Sequence, residues 1–383
     1  YLSDYWRSWP ALFTMAHHND HFSYADSIMP QFLFAVGFAF RLSILKRIKT
    51  LGAWVAARQA VMRGLCLVLL SLVLFPPFPE FKSWSALQGV GWAKIVSDVV
   101  KGDLWETLAI IGVTSIWVLP VIAASARARL IFLVCCLATH VAIAQAFNFH
   151  SIAGKPNALD AIWPLAAGKT SFDGGPFGFL AWSMPMLVGS LAYDAVALGA
   201  RQALGKIALW AASLMTAGYL MSCGTMLYVR EADATPVVRA EISPSPVIPY
   251  AANFKDRTLE SLLAEPPFTP PAATPARRQN YWTICKRQTS LSFMTFATGF
   301  ALAAYAAFLC VADLGGVSIP LFATFGQNAL AAYVAHEWAM KLFQPLAPKD
   351  SPHFWIAITF AAFFLAVWAF LRFLERNRIL LKL

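Results

Sequence analysis

The chain reads as a succession of long apolar runs separated by polar connections. Runs of roughly 20 residues, enough to cross about 30 Å of hydrocarbon, fall at about 27–45, 60–78, 104–124, 128–147, 177–198, 204–227, 290–313, 318–344 and 353–374. They predict about nine transmembrane helices. The runs are continuous rather than alternating, and a backbone in lipid must satisfy its own hydrogen bonds, which argues against strands. The predicted fold class is all-α, a polytopic transmembrane helix bundle.

The polar connections set the organisation. Residues 1–26 form a histidine-rich entry segment, 27–227 carry the first six spans, 228–284 form a proline-rich loop, and 285–383 hold the last three spans. The loop contains SPSPVIPY and EPPFTPPAATPARR. It is too polar to span, and its X-Pro steps predict extended chain laid over the surface rather than a folded domain. The connection at about 148–176, with GKPNALD and SFDGGPFG, is rich in Gly, Pro and Asn. Both are predicted walls or lids of an outward-facing cavity, although plain connecting loops have the same composition.

Composition changes the picture in one respect. With 58% hydrophobic and 13% charged residues and a mean hydropathy of +0.58, against about 25% charged in soluble domains, a soluble fold is excluded. The net charge of +10 would suggest nucleic acid in a soluble protein. Here it resolves by side. One set of alternate loops collects Arg41, Lys46, Arg47, Lys49, Arg58, Arg63, Arg127, Arg129 and the C-terminal arginines against Asp194, Asp313 and Glu375, and the remainder is close to neutral. The positive-inside rule then predicts segment 1–26 outside and the C-terminus in the cytoplasm, in a bacterial inner membrane. The predicted partner is the lipid bilayer and not nucleic acid. Six cysteines without CxxC spacing read as small buried hydrophobes and suggest no zinc site. The chain opens on Tyr1 with no cleavable signal, so the natural N-terminus is expected upstream.

Candidate chemistry concentrates in three places. The first is His17-His18-Asn19-Asp20-His21, followed by Asp26, where three of the seven histidines fall within five positions. Imidazole suits proton transfer near neutral pH, and a carboxylate such as Asp20 or Asp26 can fix its tautomer. The same residue types are metal ligands, and a solvated polar loop has the same composition; no metal is predicted. The second place is Phe325-Gly326-Gln327-Asn328 to Tyr333 and His336-Glu337, where Asn328, Ala332 and His336 recur every four residues and form a stripe on one helix face. Polar groups there face a bundle interior or a watery cavity, with interhelical hydrogen bonding an equal explanation for Asn328. The third is weaker: His140, with Gln145, Asn148 and His150, where hydrogen-bonded scaffolding is the better reading of His140. No GxGxxG, Walker, GxSxG or HExxH pattern occurs.

At these residues a resemblance arises. The segment His17 to Gly37, with Ala25-Asp26 and Pro30-Gln-Phe32-Leu-Phe34-Ala-Val-Gly37, resembles the signature of the heparan-α-glucosaminide N-acetyltransferase family and its bacterial relatives. Gly326-Gln327-Asn328-Ala329-Leu330 with Tyr333 and His336 is similar to that family's late motif. KRQTSLSF at 286–293 is similar to its entry to a later span, and SFDGGPFG to its D-P-E-G segment. HHNDHFSYAD departs from the family's H-x-x-W-x-G stretch and leaves His17, His18 or His21 as the matching histidine. Asp173-Gly-Gly-Pro stands without the family's glutamate, and the family's first span is expected upstream of this chain.

The resemblance implies a membrane enzyme that moves acetyl from cytosolic acetyl-CoA, as co-substrate, to a saccharide or glycan acceptor outside. It maps the catalytic histidine onto His17, its aspartate onto Asp26, and the late asparagine and histidine onto Asn328 and His336. His18, Asp20, His21, Asn148 and His150 are then candidates for the acceptor. Arg41, Lys46 and Arg47 are candidates for CoA phosphates, although topology alone accounts for them equally well. The alternative is a family member that has lost catalysis and serves as a subunit of a larger membrane complex; a homodimer also stays open. A transporter is disfavoured, because no inverted repeat and few intramembrane charges are visible.

Overall fold

The computed structural model describes residues 16–228, 245–249, 251–254, 257–272 and 280–380. Residues 1–15 of the entry segment and the central stretches of the proline-rich loop therefore lie outside the described residues. Among the described residues there is no strand.

Helix α1 spans Tyr24–Leu51. It starts where it does because Ser23 and Asp26 form a reciprocal capping box, which satisfies backbone N–H groups that the first turn leaves unpaired. It ends at Gly52, whose φ of 82° turns the chain directly into α2, Ala53–Leu74. Two short helices follow, and the second continues through a π-helical turn at Val99–Asp103. After a bend of 83° comes α3, Thr107–Ile122. The remaining long helices are α4 (Ala126–Ile143), α5 (Gly178–Val196), α6 (Ala200–Ser222) and α7 (Leu291–Phe308). The last are α8 (Pro320–Gln327), α9 (Ala329–Phe343) and α10 (His353–Arg376).

Among the described residues, seven helices, counted with their continuations, are long and apolar enough to cross a membrane, and the bent pair ending in α3 makes an eighth. The chain is an integral membrane protein with an all-α bundle. The count differs from nine because the run at 318–344 is broken. Asn328 leaves helical geometry at φ −127°, ψ 47°, which separates α8 from α9. Its side-chain amide donates to the Ile379 carbonyl beyond α10 at 3.1 Å.

Helix contacts are closest where glycines remove side chains. A Cβ on Gly37 of α1 would lie 1.8 Å from the Met186 carbonyl oxygen of α5, and one on Gly189 of α5 would lie 2.1 Å from the Phe34 oxygen. Such small-residue contacts let backbones meet where lipid offers no hydrophobic drive for association. The up-and-down course of the helices gives the bundle two distinct ends. At the end carrying the C-terminus of α1, Arg41 donates to Asp194 Oδ1 at 3.0 Å and to the carbonyls of Ile122 and Ala124 at 2.8 and 3.2 Å. Arg129, fully buried, pairs with the same Asp194 and donates to Ser190 Oγ at 2.6 Å. The other end carries the histidines. Arg41 lies 15 residues beyond Asp26 on one helix, about 22 Å at ~1.5 Å per residue.

Candidate active site

The turn that precedes α1 is held from both sides. Phe22, fully buried, places its ring among Phe268, Phe293, Phe296 and Phe300. Its backbone N–H donates to the Pro267 carbonyl at 2.7 Å. The residues just before it are thereby fixed at the mouth of the bundle.

Asp26 is fully buried in the first turn of α1. Its Oδ2 accepts from the backbone N–H groups of Ser23 at 3.1 Å and His18 at 3.4 Å, and the Ser23 hydroxyl donates to it at 2.9 Å. Its Oδ1 accepts from His17 Nδ1 at 2.8 Å. An ionised carboxylate only accepts, so the proton of the neutral His17 ring sits on Nδ1. Nε2 then carries the lone pair. The His17 side chain is 62% exposed against 1% for Asp26, so that lone pair is presented by an open ring on a buried, fully bonded anchor. The N-terminus of α1 adds a positive field that favours the carboxylate.

Two further segments converge here. Asp173, held at φ 49°, pairs with Lys286 at 3.4 Å. The His17 ring and the Asp26 carboxylate are among its electrostatic neighbours. Burial pushes the Asp173 carboxyl above the ordinary carboxylate range, against the opposing pull of Lys286. Gly174 N–H donates to the Arg287 carbonyl at 3.0 Å, which ties the Gly-rich loop to the 286–289 turn. Glu106, at the bend before α3, interacts electrostatically with Asp173, Lys286 and Glu337. A run of charges therefore extends from Asp26 across the mouth to α9.

The other predicted site residues are distributed as follows. The His18 and His21 rings lie tilted against each other with centroids 4.0 Å apart, and His21 Nδ1 donates to Asp20 Oδ1 at 2.7 Å. Burial first, and then the neighbouring His21, hold the His18 imidazole below its ordinary value. Asn148 is buried and donates to the Gly174 carbonyl at 3.4 Å, which makes it an anchor of the loop. His150 is half-buried with its ring against Phe149. His336 stands 3.1 Å from Glu337 and 2.5 Å from the Tyr333 carbonyl. It lines an apolar cavity with Phe32, Phe325, Tyr333 and Phe363, of about 470 Å³. Asn328 is at the α8–α9 break and caps the end of α10 through Ile379. Arg41 is engaged with Asp194 and backbone carbonyls, Arg47 is half-buried, and Lys46 is exposed at the same end.

Sequence reasoning missed the pairs Asp173–Lys286 and Arg129–Asp194, whose members lie on segments that only packing brings together. It also missed the capping box, which Ser23-x-x-Asp26 does announce. His140 matches its scaffolding role: the Tyr281 hydroxyl meets Nδ1 at 2.9 Å and the Thr289 hydroxyl meets Nε2 at 3.1 Å. No protein-family model matches the chain, and no curated protein matches it.

Proposed function

We propose that the protein is an integral membrane acyltransferase in which His17 is the general base and Asp26 its orienting carboxylate. The observation that carries this reading is the His17–Asp26 pair: a buried carboxylate with every oxygen bonded, fixing an exposed imidazole in the tautomer whose Nε2 can accept a proton. Nε2 takes the proton of the acceptor hydroxyl or amine as its oxygen or nitrogen attacks the acetyl carbonyl. The thiol leaves with a proton, and imidazole returns to neutral. Lys286, beside Asp173, is the candidate to meet charge developing on the carbonyl oxygen.

The resemblance to the heparan-α-glucosaminide N-acetyltransferase family supplies the reactants, acetyl-CoA as donor and a saccharide as acceptor. Three of the four segments on which it rests, at 17–37, 173–176 and 286–293, meet at the histidine end, which supports the reading. The concentration of basic residues at the opposite end supports a bacterial inner-membrane orientation with the histidines outside. There the exposed Lys46, with Arg47, is the candidate for CoA phosphates.

The test is transfer of labelled acetyl from acetyl-CoA to a panel of amino sugars and glycans by the purified full chain in detergent. Wild type is expected to acetylate one acceptor class and His17→Ala to lose at least about 100-fold, the usual worth of a general base. Equal rates in wild type and His17→Ala would remove His17 from the mechanism.

A further inference from the structure

One to four residues beyond the proposed base, a second cluster has a different chemistry. His21 donates its Nδ1 proton to Asp20 Oδ1 at 2.7 Å, so its Nε2 bears a lone pair. That Nε2 is buried and meets no hydrogen-bond partner, in a side chain only 6% exposed. His18 Nε2, in the ring tilted against it, is likewise buried without a partner. Buried polar atoms are rarely left so, and here two converge. One donor atom from each of His18, Asp20 and His21 lies within 4.8 Å of the others. Asp20 and His21 also line a small cavity of about 20 Å³ whose wall includes Glu265, Thr225 and Thr283. That volume holds about one water.

We infer that His18 and His21, through their Nε2 atoms, form the protein ligands of a divalent transition-metal site of the zinc class at the mouth of the bundle, with Asp20 holding the His21 ring from its Nδ1 side. A neutral imidazole with its Nδ1–H on a carboxylate and its Nε2 facing inward is the arrangement by which metal-ligating histidines are oriented. Two imidazole nitrogens suit a borderline ion such as Zn²⁺, with water completing the tetrahedron. Tetrahedral bonds of ~2.0–2.1 Å put donors about 3.3 Å apart, so the closure required is a rotation of side chains. The ion would pin the 16–22 turn, and with it the presentation of His17, onto the 264–267 segment that Phe22 already grips. This site stands on its own observations and does not depend on the acyl-transfer reading.

The experiment uses the full chain in detergent, stripped with a chelator and titrated with Zn²⁺, with metal content measured by mass spectrometry. Wild type is expected to take up one equivalent and to show a higher melting midpoint with Zn²⁺ than with Mg²⁺. The double variant His18→Gln/His21→Gln is expected to bind more than about 100-fold more weakly, beyond the 10–100-fold that outer-shell changes cost. His17→Ala is expected to keep the metal. Wild type that takes up no Zn²⁺, a folded double variant with undiminished affinity, or loss of the metal in His17→Ala alone would each overturn the site. Should the double variant not fold, the midpoint of wild type decides: a midpoint indifferent to saturating Zn²⁺ overturns it.

Discussion

Replacing Asp26 by Asn isolates what the carboxylate does, because shape is kept and only charge and one acceptor are changed. Oδ2 faces the N–H groups of Ser23 and His18 and the Ser23 hydroxyl, so the amide oxygen must take that position. The amide NH₂ then occupies the place of Oδ1 and points at His17 Nδ1, 2.8 Å away in wild type. Two donors cannot face each other. The imidazole gives up its Nδ1 proton and carries it on Nε2, where the lone pair is lost. The corresponding change in a serine-protease triad lowers turnover by about 10⁴, and a loss of ~10²–10⁴ in kcat with little change in KM is predicted here. Stability falls far less. The cap survives, and weakening its charge-assisted bonds and its helix-dipole term costs roughly 1–2 kcal/mol. Acetyl transfer measures the rate, and ¹⁵N NMR of histidine-labelled protein in bilayers reads the tautomer. A folded Asp26→Asn protein within about threefold of wild-type kcat, under 1 kcal/mol of barrier, or one whose His17 still carries its proton on Nδ1, would refute the reasoning.

Three other changes test separate parts of the structure. Gly37→Val should destabilise the bundle by more than about 1–3 kcal/mol, because its Cβ would fall 1.8 Å from the Met186 carbonyl oxygen and backbone must move; the melting midpoint in detergent checks it. Asp194→Ala leaves the fully buried Arg129 without its counter-charge and removes the carboxylate partner of Arg41, with an expected cost of about 3–5 kcal/mol that Arg129→Met in the same background should partly restore. Asp173 has a folded-state pKa above its ordinary 3.8. Its contribution is therefore complete below that value and is lost as pH rises through the folded one. The wild-type midpoint, measured against pH from about 4 upward, should show this loss, and Asp173→Asn should remove it.

How much could be read in advance depended on whether the cause was local. Continuous apolar runs announce helices because lipid leaves no other partner for the backbone, and the helices from Tyr24 to Leu51 and from His353 to Arg376 contain the predicted runs. The pairing of His17 with Asp26 was legible only in part, since the residues alone leave Asp20 and Asp26 as carboxylates for three histidines, and the turn before α1 sorts them into His17–Asp26 and His21–Asp20. The break at Asn328 was not. Gly326 to Tyr333 is compatible with helix, and the Ile379 carbonyl that receives the Asn328 amide lies 51 positions away. The bend of 83° before α3 is equally silent in hydropathy, because both limbs are apolar. Arg41 could be placed on its face from sequence, yet its ties to Asp194, Ile122 and Ala124 depend on how α1, α3 and α5 pack.

In the proposed mechanism His17, at the histidine end, takes the proton of an acceptor that attacks an acetyl group delivered across the bundle, over the ~22 Å that separate Asp26 from Arg41 along α1. Proteoliposomes with inserted full chain, acetyl-CoA on the arginine side and the acceptor sugar only on the histidine side, measure it directly. Labelled product is expected on the histidine side in wild type and none above background in His17→Ala. Product that forms only when donor and acceptor share a compartment, or that forms equally without His17, would contradict it.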